Sequence, residues 1–259
     1  MLLVFGELYA ELTNSGEACL EVALGGPLLR QALAARAAGA RTRFLGRVGR
    51  DGYGRSIRRI GQNHELEWAL QEDGERPTSL WIGGDPPVAY RAADAHLEPP
   101  SESFFEGGRV LHAGAWAFGM DPARTTAAEV FREGLHQGLA LSLDLRSARW
   151  ALRADLEEVL RPFLPLAYMK VDAEALEALQ LRPGELFQWA NTVLLFAPGK
   201  VRRMTLFDEQ DRALPAGLHP DEAYGRFLAG VSRGREPEAA LAAALEGGDE
   251  ALRPKEKDA

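Results

Sequence analysis

The chain has 259 residues, 46% of them hydrophobic, and a formal net charge of -8. That length buries a substantial core, while the acidic balance excludes a protein that grips a phosphate backbone, which needs clustered Lys and Arg. Cys19 is the only cysteine, so no intrachain disulfide or cysteine-based zinc site is available, and a reducing compartment is expected.

Met1 to Phe5 form a short apolar run that meets Gly6-Glu7 at once. It is too short for a secretory h-region, and nowhere is there an apolar stretch of membrane length. A soluble, cytoplasmic protein with neither a membrane nor a nucleic-acid partner is the expectation. Strands are predicted at residues 2–5, 42–45, 109–113, 139–143, 168–171 and 192–196. Helices with apolar positions three or four apart are predicted at 27–38, 54–62, 123–137, 152–163, 173–180 and 221–232. This alternation predicts an α/β domain with a mainly parallel sheet, right-handed crossovers, and a site at the carboxyl ends of the strands.

Two segments break the rhythm. Residues 8–24 and 77–90 are extended, partly apolar and rich in turn residues, and are expected to pair as a small sheet. Residues 247–259 carry Gly-Gly and a charged run without apolar periodicity, so they are read as a flexible tail after a domain spanning 1–246.

The block from Gly39 to Arg55, reading Gly-Ala-Arg-Thr-Arg-Phe-Leu-Gly-Arg-Val-Gly-Arg-Asp-Gly-Tyr-Gly-Arg, follows a Gly25-Gly26 turn and an alanine-rich helix. In that order and spacing it resembles the ribokinase-type (PfkB) carbohydrate kinases. Gly6-Glu7, Leu111-His112-Ala113-Gly114, Ser142-Leu143-Asp144, residues 165–179 and the pair Phe227 to Gly234 with Glu238 to Leu241 extend the likeness from about Leu3 to Leu245. The resemblance implies a three-layer α/β/α ribokinase-like fold with a β lid over the sugar, and a lid that often also forms a dimer contact. It also implies phosphoryl transfer from ATP with Mg²⁺ to a sugar or sugar-acid hydroxyl.

The family's base is an Asp at the start of the late helix, preceded by a Gly-Ala-Gly whose N–H groups meet the γ-phosphate. Counting back from Gly234 places that Asp at Asp221. A register anchored on Phe227 places Gly225 there, with no carboxylate. In the first register Leu218-His219-Pro220 stands where the glycines belong, and Pro220 has no N–H to offer. The sugar-binding Asn falls on Arg30 and the early sugar-binding Asp on Glu11. Arg91, in a Tyr-Arg pair, matches the arginine with which sugar-acid kinases meet a carboxylate, a geometry that suits bidentate binding. Gly199 and Lys200 stand at the nucleotide-phosphate turn. The chain also stops 38 residues after Asp221, where relatives usually continue with helices that wall the adenine. His64, His96, His112, His136 and His219 lack metal-ligand spacing and are expected to be structural or exposed. Two functions follow as expectations: a catalytically impaired or silent homologue with a binding or structural role, or an active carbohydrate kinase using Asp221 as base.

Overall fold

The computed structural model describes residues 1–14, 20–83, 88–145 and 153–246. Its centre is β1 (Leu2–Phe5), four apolar residues buried on both faces and paired in parallel with β4 (Thr42–Gly49) on one side and β8 (Val110–Gly114) on the other. Such continuous apolar strands are what a sheet covered on both faces requires. Outward from β4 lies β5 (Glu67–Asp73). Outward from β8 follow β9 (Ala140–Asp144), β10 (Leu166–Asp172) and β11 (Ala190–Ala197), all parallel. An antiparallel hairpin of β12 (Lys200–Met204) and β13 (Glu209–Ala213) completes the nine-stranded order β13-β12-β11-β10-β9-β8-β1-β4-β5. Exposed Glu209 and Asp211 on β13 blunt that edge.

Seven α-helices flank the sheet among the described residues: α1 (Gly26–Ala37), α2 (Gly52–Asn63), α3 (Ala123–His136), α4 (Arg153–Leu160), α5 (Ala173–Ala178), α6 (Pro220–Ser232) and α7 (Pro237–Glu246). Local chemistry starts them where the sequence predicts. Asp51 caps α2 by accepting the Gly54 N–H at 2.8 Å, and Asp172 caps α5 by accepting the Ala175 N–H at 2.8 Å. Gly25 and Gly26, at φ 100° and 72°, turn the chain into α1. A Cβ on Gly25 would stand 2.1 Å from Leu29, and one on Gly26 2.8 Å from the Tyr9 ring.

The two irregular segments do pair. β2 (Tyr9–Asn14), β3 (Leu20–Leu24), β6 (Ser79–Ile82) and β7 (Val88–Tyr90) form a second sheet in the order β3-β2-β6-β7. The predicted doubly wound core with a β lid is therefore present. The reading of six strands in the main sheet was too few. β5, β12 and β13 were missed because polar residues interrupt them (EWALQED, KVRRM, EQDRA), and strand pairing rather than apolar content defines them. Residues 247–259, read as a tail, lie outside the described residues. Among the described residues no helix is long and apolar enough to cross a membrane.

Candidate functional site

The carboxyl ends of β8, β9 and β10 lie in register, with Gly114 beside Asp144 and Asp144 beside Lys170. Above them the N-terminal halves of α1 and α6 approach each other closely. Gly225 makes this possible, since a Cβ there would stand 2.2 Å from the Gln31 carbonyl oxygen. That contact delivers Arg30 and Gln31 of α1 to Asp221 in the first turn of α6.

The result is a buried polar cluster. The Asp221 side chain is wholly inaccessible and pairs with Lys170 Nζ at 2.9 Å and with Arg30 Nε at 3.2 Å. Lys170 Nζ also meets Asp144 Oδ2 at 2.8 Å. Gln31 Nε2 donates to Asp144 Oδ2 at 2.5 Å and to Asp221 Oδ1 at 3.2 Å. With both of its amide hydrogens so used, Gln31 presents Oε1 to His112 Nε2, 2.6 Å away. His112 must therefore carry its proton on Nε2 and accept on Nδ1 from Ser142 Oγ at 2.9 Å. Ser142 in turn accepts from Tyr224, whose phenol burial pushes well up and which lies 2.9 Å away. Hydrogen bonding thus runs in one direction from Tyr224 to the two carboxylates.

The start of α6 is closed by its own side chains. Pro220 has no N–H, and the Asp221 N–H donates to His219 Nδ1 at 3.1 Å. Glu222, its carboxyl raised by burial, accepts the His219 backbone N–H. Helix N-termini bind anions through N–H groups left over from the helix, and this one has spent its leading donor internally. Beside it, over the carboxyl ends of β10 and β11, opens a cavity of ≈510 Å³, lined among others by Lys170, Asp172, Phe196, Gly199, His219 and Pro220.

Of the residues predicted from sequence, Asp221, Arg30 and Glu11 come together. Arg30 bridges the floor and the lid, its NH1 3.6 Å from Glu11 Oε2. Arg91 lies under the lid, but its guanidinium is engaged. Nε and NH2 donate to Asp94 Oδ2 at 3.2 and 3.0 Å, NH1 donates to the Trp116 carbonyl at 2.8 Å, and the group lies 4.7 Å above the Trp116 ring. Trp116 also packs in tilted geometry against Tyr9 and Trp81 of the lid at centroid distances of 6.1 and 5.9 Å. Gly199, at φ 70°, lines the cavity. Lys200 does not join it, for its ammonium lies 3.7 Å from Asp211 on the neighbouring strand. Sequence reasoning missed Lys170 and Gln31. The available signal was a lysine inside the apolar strand LAYMKVD and a glutamine on the buried stripe of α1.

Two groups give the site opposite responses to pH. Burial lowers His112 from the ordinary 6.5 to about 4. Its folded pKa is depressed, so the unfolded chain takes up the proton first and stability is lost as pH falls from 6.5 towards 4, by about 3 kcal/mol. Burial raises Glu7 from 4.5 to about 8. Its contribution is full below 4.5 and is lost as pH rises towards 8. The opposing trends mask each other in the parent chain. Urea unfolding at pH 4.5 and 7 is expected to show His112→Gln losing stability towards neutral pH and Glu7→Gln gaining it. Two variants with the same slope as the parent would refute this.

A largely parallel sheet with helices on both sides and a β lid over the strand ends define a ribokinase-like fold. No protein-family model matches the chain. A fructokinase of Klebsiella pneumoniae is 27% identical over 175 residues, a match that covers 63% of this chain and 57% of that relative. Among solved structures, Halothermothrix orenii fructokinase superposes with a TM-score of 0.79 at 18% identity, over 98% of this chain and 99% of that one. Aminoimidazole riboside kinase of Salmonella enterica, complexed with aminoimidazole riboside and an ATP analog, gives 0.79 at 19% identity, over 94% and 89%. Vibrio cholerae fructokinase, bound to fructose, ADP and potassium ion, gives 0.79 at 21%, over 94% and 88%. The chain carries the fold of these sugar kinases and over 175 residues is similar in sequence to a fructokinase.

Proposed function

We propose that this chain holds a sugar-like ligand beneath its lid without transferring phosphate to it. The observation that carries the reading is the state of Asp221. A general base must reach the hydroxyl whose proton it removes, whereas this carboxylate is enclosed and ion-paired to Lys170 and Arg30. Pro220 and His219 also occupy the place where N–H groups would meet a transferring phosphoryl group. Titration calorimetry with Mg-ATP is expected to register no binding. A dissociation constant in the micromolar range would overturn the reading.

The second reading is an active carbohydrate kinase that uses ATP and Mg²⁺. It is favoured by the placement of Asp221 at a helix N-terminus beside the ≈510 Å³ cavity. In that case Arg30 would have to swing off Asp221 when a sugar enters, and Asp221 would act as the base.

The lid also supports a homodimer. The strand register puts Ala10, Leu12, Val22, Leu24, Leu80, Ile82, Val88 and Tyr90 on one face and Tyr9, Glu11 and Trp81 on the other, towards the site. Val22, Ile82, Val88 and Tyr90 are between 40% and 55% exposed. An apolar sheet face of this kind packs well on an identical face across a two-fold axis. Light scattering is expected to give twice the mass of one chain, and Val88→Asp with Tyr90→Asp a single chain. A monomeric parent at high concentration would exclude the dimer.

A further inference from the structure

Along the strand ends stands an acid that neither reading uses. Glu7 follows β1 directly and is 2% exposed. Its carboxyl lies against Gly114 at the end of β8, where a Cβ would come within 2.7 Å of Oε2 and 2.8 Å of Oε1. Only a glycine leaves space for it there. Oε2 is buried with no hydrogen-bond partner. Around it the other acids are satisfied: Asp94 by Arg91, Ser79 and Trp116, Asp144 by Lys170 and Gln31, Glu11 by Arg30. A buried polar atom left over in a cluster otherwise paired is costly to the fold and calls for a partner.

We propose that Glu7 is a ligand-binding residue of the space beneath the lid, presenting a carboxylic acid to a hydroxyl group of a neutral polyhydroxylated ligand. The assignment rests on the reading that a sugar-like ligand enters there. Three features carry it. The orphan oxygen lies at the strand ends, on the same floor as Asp144. In its acid form the group both donates and accepts, as a hydroxyl partner requires. The cations nearby are committed, Arg91 to Asp94, Arg30 to Glu11 and Asp221, and Lys170 to Asp144 and Asp221. A ligand carboxylate or phosphate would have to break one of these pairs, so a neutral ligand is preferred over a sugar acid. The groups that act on Glu7 agree with the acid form. Burial favours it most, Asp144 and Asp94 add to it, and the Glu7 backbone N–H and Arg91 oppose it without prevailing, which leaves the proton in place up to about pH 8.

The test titrates the full chain with D-fructose, D-ribose and D-gluconate by calorimetry, at pH 7 and pH 9. Emission from Trp81 and Trp116 serves as a second readout. The parent is expected to bind a neutral sugar and not gluconate. Its affinity should fall about tenfold at pH 9 as the acid form is depleted. Glu7→Gln should keep the pH 7 affinity and lose the pH dependence, and Glu7→Leu should lose at least about tenfold. Gluconate binding as tightly as the neutral sugars, no binding of either neutral sugar, a parent affinity flat with pH, or an unchanged Glu7→Leu affinity would each overturn the assignment. If Glu7→Leu fails to fold, the pH dependence of the parent against Glu7→Gln decides. Turnover of ATP would sink the silent reading and leave Glu7 standing, absent sugar binding would sink the sugar-binding reading together with Glu7, and sugar binding with a flat pH profile or an unchanged Glu7→Leu affinity would sink Glu7 alone.

Discussion

Replacing Lys170 with Met is expected to cost the fold about 3–5 kcal/mol, the range for removing one partner of a buried ion pair. Lys170 is 1% exposed and lies 2.8 Å from Asp144 and 2.9 Å from Asp221, both also buried. Without it two carboxylates share one inaccessible space, with Gln31 and the partly exposed Arg30 left to satisfy them. Urea unfolding at pH 7 would register the loss as a lower midpoint. Neutralising the acids together with the lysine, as Lys170→Met/Asp144→Asn/Asp221→Asn, should restore most of it, because the destabilisation comes from unpaired charge and not from lost volume. A loss below about 1 kcal/mol in the single variant would mean that water or a rearranged arginine reaches the carboxylates.

The second large effect is on rate. In a coupled ADP-release assay over hexoses, pentoses and 2-keto-3-deoxy sugar acids, turnover is expected to stay at background. Loss of a single oxyanion-type donor costs about a hundredfold to a thousandfold. Here Pro220 supplies no donor and the Asp221 N–H is taken by His219. The base itself must first leave Lys170 and Arg30. These losses compound without adding strictly, and together they place the rate at least about ten-thousandfold below that of a site with its donors intact. Robust turnover that Asp221→Asn abolishes would refute the silent reading and establish Asp221 as the base.

Much of the site was legible as position. The resemblance singled out Asp221, Arg30 and Glu11, and these lie close together, Asp221 in the first turn of α6, Arg30 in the N-terminal half of α1 and Glu11 within β2. What those residues do to one another was not legible. Arg30, which the resemblance sets against a substrate, bridges Glu11 and Asp221. Arg91 was expected to meet a carboxylate and holds that of Asp94, three residues along. Lys200 was expected beside a phosphate and pairs across a hairpin whose strands were not predicted.

By itself the sequence determined the doubly wound core, the lid segments and the start of α6, since these depend on apolar periodicity, glycine freedom and helix capping within a few residues of chain. It also showed that Pro220 removes a donor, a property of one residue. Only the tertiary structure decided that Asp221 is enclosed. That outcome needs α1 and α6 to touch at Gly225, 194 positions from Gln31, and β9 and β10 to lie in register so that Lys170 stands between two acids. Charge pairing and burial are properties of distances between residues far apart in the chain, and no local pattern records them.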